Sequence, residues 1–177
     1  MGFIGMKPHE IEISPATIAD MPAVCEIYNY SVLNDTASWE YDPPSIAQMQ
    51  ERFIAIEGGG FPFLVARRDN RVLGFAYASS YRSRVGYRFC VENSVYIDVA
   101  HRNLGIGSLL LNALICECTG MGFTQMIAVI GDSENIGSIK LHEKSGFVRV
   151  GLLPKIGLKF DKWLDSVLMQ KDLTTNH

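Results

Sequence analysis

Apolar and polar positions alternate in "EIEIS", residues 10–14, as in a strand with one buried face; the repeat then lengthens to three and four. Thr17, followed three residues on by Asp20, has the spacing of a capping box, so the apolar-periodic stretch through about Asn34 reads as a helix. A second box, Ser45 with Gln48, opens "IAQMQERFIAIE", and glycines 58–60 close it as a helix C-terminus prefers. From Phe63 the period returns to two. "FLVARR", a polar turn at Asp69 and Asn70, and "VLGFAYASSY" predict an antiparallel hairpin. The basic, irregular "RSRVGYR" separates it from a further strand, "FCVENSVYIDV". A helix "GSLLLNALICECTG", a strand "TQMIAVIG", a helix beginning near Asn135 and two strands, "FVRVGLL" and "WLDSVLMQKDL", complete the chain.

The order β-α-α-β-β-β-α-β-α-β-β predicts an α/β fold of the α+β type, a mixed sheet with helices on both faces. With 177 residues and 47% apolar composition the chain suits one core, expected as a single domain over 11–173. The leader 1–10 and the closing "TTNH" are the segments expected to be disordered.

Charge narrows the function. A net charge of -3 leaves no basic face for a phosphate backbone, so nucleic acid is not an expected partner. No apolar run approaches the roughly 18 residues that span a bilayer, and "MGFIGMKPHE" lacks the basic-then-apolar order of a secretory signal. A cytoplasmic protein without membrane contact is expected. Cys25, Cys90, Cys116 and Cys118 lack ligand-like spacing, which predicts buried free thiols and no metal site.

Between the strand "VENSVYIDV" and the next helix lies "RNLGIGS", with Gly105 and Gly107 one residue apart. Bare backbone there lets amides from Asn103 to Ser108 converge at a helix start, where a pyrophosphate would fit. A plain strand-to-helix turn would look the same on these residues alone, and neither a Walker sequence nor a dinucleotide fingerprint is present.

The arrangement Arg102-x-x-Gly105-x-Gly107 directly after a strand resembles the acetyl-CoA motif of the GNAT superfamily of N-acetyltransferases, and "NIGSIKLHEKSGF" resembles that superfamily's second signature. "VENSVY", "LHEKSGF", "GLKFDKWLD" and "TASWEYDPP" are together similar to the phosphinothricin and methionine sulfoximine acetyltransferases over about residues 11–173. The resemblance implies acetyl-CoA as co-substrate, a small-molecule amine as acceptor and a homodimer. It implies backbone pairing of Val95, Tyr96 and Ile97 with the pantetheine arm, with an amide there for the oxyanion. It also assigns Arg102, Asn103, Leu104, Gly105, Ile106, Gly107 and Ser108, with Asn135 and Ser138, to the cofactor.

Acyl transfer needs a neutral amine, hence a base within reach. Glu92 in the apolar "VENSVYI" is either an exposed edge residue or that base; the resemblance implies the base. Its face is shared with Ser94 and Tyr96, while Asn93 points the other way. Asn135, Ser138 and His142 form a polar helix stripe that would ordinarily be solvated; the resemblance brings His142 near the departing sulfur or the amine, in an acid/base or positioning role. Arginines 82, 84 and 88 would ordinarily be solvated too, but the resemblance lays their loop over the acceptor, with Arg82 on its acidic groups and Arg84 beside it. Glu92, Asn93 and Ser94 with Trp39, an apolar wall or a core residue, complete the candidate acceptor site. Lys155, Lys159 and Phe160 belong to the C-terminal signature without an assigned role. Natural amino acids, other amines or a protein N-terminus are alternative acceptors, and a non-catalytic CoA-binding sensor is the alternative outside enzymes.

Overall fold

The computed structural model describes residues 11–174. Its elements are β1 (Glu12–Pro15), α1 (Met21–Asn34), α2 (Ile46–Gly58), β2 (Phe63–Arg68), β3 (Arg71–Ser80), β4 (Cys90–Ile97), α3 (Ile106–Gly120), β5 (Gln125–Gly131), α4 (Ile136–Lys144), β6 (Val148–Lys159) and β7 (Lys162–Asp172), in the order the patterning predicts. The leader and residues 175–177 lie outside the described residues. Thr174, the first residue of the closing "TTNH", is tied to the Asp172 carboxylate through its amide at 2.8 Å and its hydroxyl at 2.6 Å.

Both capping boxes form. The Gln48 amide donates to Ser45 Oγ at 3.2 Å and the Ser45 amide to Gln48 Oε1 at 2.8 Å, so two amides that α2 cannot satisfy internally are satisfied reciprocally. The Thr17 amide donates to Asp20 Oδ2 at 2.7 Å, and one 3-10 turn, Ile18–Asp20, precedes α1. Both Asp20 oxygens also accept from Arg67 of β2 at 2.6 Å; that guanidinium holds the carboxyl below its usual range and ties the helix start to the sheet.

One seven-stranded sheet runs in the order β1-β2-β3-β4-β5-β7-β6, and every neighbouring pair except β4–β5 is antiparallel. Residues of β2 alternate between two cores. Leu64 and Ala66 face Leu110, Leu111 and Leu114 of α3, while Phe63 and Val65 face Met21 and Val24 of α1 and Phe53 of α2. A strand covered on both faces needs apolar residues at every position, which is why "FLVA" does not alternate. Among the described residues no helix is long and apolar enough to cross a membrane.

Two expectations need correction. β6 does not stop near Leu153: it runs to Lys159, through register shifts at Arg149/Gly151 and Leu153/Gly157, and turns into β7 through Phe160 and Asp161, both at positive φ. The bulges and Pro154 break the period of two that would have revealed the strand. Nor are all four thiols buried. Cys25 and Cys118 are, Cys90 is half-buried, and Cys116 is exposed because two residues along α3 turn it away from the face of Cys118.

Candidate active site

The parallel ladder between β4 and β5 is short, covering Cys90↔Gln125, Val91↔Met126 and Glu92↔Ile127. On its other edge β4 stays paired with β3 as far as Ile97, and β5 stays paired with β7 as far as Gly131. Beyond Glu92 the two strands therefore diverge, leaving a V-shaped cleft whose edges carry backbone groups without strand partners. An extended molecule can complete such an edge as an added strand. A cavity of about 250 Å³ opens here, walled by Glu92 to Tyr96 on β4, by Ala128 to Gly131 on β5 and by Asn135, Ser138 and His142 on α4. The fourth wall is the segment Ala37–Glu40 between α1 and α2.

Glu92 is half-buried at the apex of the V. Burial pushes its carboxyl above the ordinary carboxylate range, opposed only by the charge of Arg82. A desolvated carboxylate with a raised pKa is a stronger base than one in water. Arg82 lies outside the cavity wall, exposed, with its guanidinium over the Tyr81 ring at 5.0 Å. Arg84, also exposed, precedes the short 3-10 turn Val85–Tyr87 and does not reach the wall.

Asn93 and His142 are placed differently from Glu92. Both are buried, at 7% and 4% exposure, and they engage each other, with His142 Nε2 3.0 Å from Asn93 Oδ1. Asn93 Nδ2 donates to Ile127 O at 3.0 Å, and His142 Nδ1 stands 2.8 Å from Ser138 O. Burial pushes the imidazole pKa down, with the Ser138 carbonyl opposing. Asn135 caps α4, its Oδ1 accepting from the Ser138 amide at 3.2 Å.

At the start of α3, Gly105 takes a left-handed φ of 82° and Asn103 one of 62°. The Ser108 and Leu109 amides turn back to Gly105 O at 3.1 and 3.2 Å, whereas no backbone carbonyl among the described residues claims the amides of Asn103 to Gly107. Of the six amides from Asn103 to Ser108, five are thus left without a backbone carbonyl and that of Ser108 is not. A Cβ on Gly107 would come within 3.2 Å of Leu141, so this second glycine also lets α3 approach α4 closely. The Arg102 side chain points to α1, pairing with Asp35 at 2.8 Å and lying over Tyr30 at 5.7 Å.

The wall carrying Trp39 is anchored by residues whose role the sequence left open. A Cβ on Gly157 would overlap the Trp39 ring, and one on Gly131 would sit 2.5 Å from Thr36 O, so both strands are bare where the loop docks. Tyr41 donates its hydroxyl to Leu158 O. Lys159, only 1% exposed, donates to Asp35 O at 2.9 Å and to Ser38 O, with Phe160 5.0 Å from its ammonium. Burial pushes its pKa down while Asp35 and Glu40 hold it up. Lys159→Met should leave two carbonyls without a donor, costing about 2–4 kcal/mol and lowering the melting temperature by roughly 5–15 °C. Calorimetric melting checks this, and limited proteolysis should show faster cleavage within 35–41.

Comparison with known proteins gives a consistent answer. The Acetyltransferase (GNAT) family matches residues 26–147. A phosphinothricin N-acetyltransferase of Alcaligenes faecalis is 46% identical over 154 residues, 87% of this chain and 78% of that relative. An L-methionine sulfoximine/L-methionine sulfone acetyltransferase of Pseudomonas paraeruginosa is 41% identical over 91% of this chain and 94% of its own length. Among solved structures, a GNAT phosphinothricin acetyltransferase from Sinorhizobium meliloti in complex with acetyl-CoA superposes with a TM-score of 0.89 at 44% identity, covering 92% of this chain and 88% of that one. The cleft between β4 and β5 is therefore read within a known framework: the chain belongs to the GNAT acetyltransferase family and is an acetyl-CoA-dependent N-acetyltransferase.

Proposed function

We propose that the acceptor is the α-amine of a small amino-acid analogue of the phosphinothricin, methionine sulfoximine or methionine sulfone type. Glu92, a desolvated carboxylate at the apex of the cleft, supports an amine as acceptor, and the charge of Arg82 that reaches it is the observation that favours an amine carrying an acidic group. The names of relatives at 40–46% identity point to the same acceptor class.

Acetyl-CoA supplies the activated acetyl group, and the chain's residues bind, orient and deprotonate. The free amides of Asn103 to Gly107, covering Leu104, Gly105 and Ile106, suit a pyrophosphate. The open edge of β4 at Val95, Tyr96 and Ile97 suits the amide-rich arm, with Asn135 and Ser138 across the cleft. An amide of that edge is available to an oxyanion. Arg102 contributes through the backbone it fixes, since its guanidinium is held by Asp35. Ser94 and Trp39 shape the acceptor's place, and Glu92 takes the amine proton directly or through water.

Arg82 stands outside the cavity wall, but its charge reaches Glu92, and from that loop it anchors the acidic group of an acceptor that extends out of the cavity, with Arg84 at the loop's outer rim. A guanidinium holds a carboxylate or phosphinate with two parallel hydrogen bonds, which an ammonium cannot reproduce. Arg82→Lys should cost on the order of 1.5–3 kcal/mol, appearing as a roughly 10–100-fold higher KM for methionine sulfoximine and little change for a plain alkylamine. Paired saturation curves for wild type and variant test this. Equal weakening of both acceptors would remove Arg82 from the anchor role.

The cytoplasm fits a chain whose four cysteines are all free. A homodimer fits the edge strand β6, where Val148, Val150, Ile156 and, beside them, Phe160 and Trp163 are exposed.

A further inference from the structure

The contacts at the apex of the cleft allow a count of protons. Three contacts run in series: Ile127 O to Asn93 Nδ2 at 3.0 Å, Asn93 Oδ1 to His142 Nε2 at 3.0 Å, and His142 Nδ1 to Ser138 O at 2.8 Å. Both ends of the series are backbone carbonyls, which only accept. The Ile127 end therefore requires the Asn93 NH₂ group, which turns Oδ1, an acceptor, towards the imidazole. The Ser138 end requires a proton on Nδ1. The middle contact is then a hydrogen bond only if Nε2 carries a proton as well. A neutral imidazole has one N–H and always leaves an acceptor facing an acceptor; turning the Asn93 amide over moves the conflict to Ile127 O without removing it. Only the imidazolium satisfies all three contacts.

The position of this series gives it a consequence. The β4–β5 ladder ends at Glu92↔Ile127, and Asn93 is the next residue along β4. Its side chain thus adds one rung to Ile127 where the backbones part. His142 braces that rung from α4, its ring set edge-to-face on Phe147 at 5.0 Å. Neither ring nitrogen is left to face the cleft.

We propose that Asn93 and His142 are positioning residues: together they form a pin, completed by one proton from solvent, that fixes the apex of the cleft and so the placement of Glu92 and of the open β4 edge. This deepens the acetyltransferase reading only in what the pin serves; the pin itself stands on the three contacts. Of the titratable groups around it, Glu92 and Tyr96 lie on the opposite face of β4, Tyr28 and Glu40 line the same cavity, and Lys140, Glu143 and Lys144 are on α4; the β5 segment Met126–Val129 has none. The ring's hydrogen-bond contacts among the described residues are Ser138 and Asn93. Burial opposes the charge, so the pin is complete on the acid side of the ordinary histidine midpoint of about 6.5 and loses one contact as pH rises.

The test is a titration of the His142 imidazole by nitrogen NMR, with the Asn93 side-chain NH₂ resonances followed in the same samples. The pin predicts that both move with one midpoint, and that Asn93→Ala shifts the His142 midpoint to lower pH because the imidazolium loses its acceptor. A histidine that is merely packed would shift the other way, since removing Asn93 admits water. An Asn93 NH₂ signal indifferent to the titration overturns the proposal without recourse to any variant, as does a midpoint that rises in Asn93→Ala. Acetyl-CoA affinity gives a second arm. It should fall roughly ten-fold in Asn93→Ala, and wild type should bind more tightly at pH 5.5 than at pH 8 relative to His142→Gln, whose amide donates to Asn93 at any pH. NMR agreement with unchanged acetyl-CoA affinity would keep the contacts but overturn the role given to the pin in the cleft.

Discussion

Glu92→Gln should lower turnover by roughly 10²–10⁴-fold while acetyl-CoA affinity stays within about two-fold of wild type, the scale expected when a general base is lost and binding is not. The substitution keeps the shape of a side chain in the cavity wall and removes only its capacity to take a proton. The pH profile carries the diagnostic. Burial raises the Glu92 pKa, so in wild type kcat/KM should fall on the acid side through a midpoint above the ordinary carboxylate range. Arg82 opposes that rise, so Arg82→Gln should move the same limb to higher pH. In the glutamine variant the limb should vanish, and activity should recover in part at high pH, where the amine loses its proton unaided. Stopped-flow thiol release across pH checks all of this. Full turnover at neutral pH in the variant would assign the proton to another group.

Gly105→Val should abolish measurable acetyl-CoA binding, a loss of more than about 100-fold, in a protein that still folds. The backbone at Gly105 sits at φ 82°, a conformation that costs an L-residue about 1–2 kcal/mol and a β-branched one more. Nothing lies within 4 Å of an added Cβ, so the cost is local strain rather than a clash in the core. Relief of that strain rotates the amides of Gly105 and Ile106, two of the five that no backbone carbonyl claims. Gly107→Val would be a poorer test, because its side chain meets Leu141 and would disturb the packing of α3 on α4 as well. Isothermal calorimetry with acetyl-CoA, alongside a melting curve, separates loss of the site from loss of the fold. Wild-type affinity in a folded variant would remove the α3 start from the cofactor site.

Most of the fold was legible because its signals are local. Capping boxes at Thr17 and Ser45, the Asp69–Asn70 turn and the change of period at Phe63 each depend on residues within a few positions. The C-terminal hairpin was only partly legible. Its β6 is an edge strand interrupted by bulges, and it turns at Phe160–Asp161, a pair without the glycine or asparagine that usually marks positive φ. In the site, Glu92 was visible as a carboxylate in an apolar strand and the glycines as a bare helix start. What sequence could not carry were contacts between distant residues. Asn93, on the expected face of β4, has its amide spent on Ile127 and His142, and Lys159 reaches carbonyls 124 and 121 residues away. Isolated glycines within strands at 131 and 157 were the available hint that another element docks there.

The acceptor class is tested most directly by following free thiol when the purified protein is given acetyl-CoA with one acceptor at a time: phosphinothricin, methionine sulfoximine, methionine sulfone, natural amino acids and plain alkylamines. Saturable thiol release is expected with the first three, at kcat/KM values well above those for natural amino acids and alkylamines, with mass spectrometry placing the acetyl group on the α-amine. Thiol release that no acceptor raises above the rate of acetyl-CoA alone, or that alkylamines raise most, would contradict it.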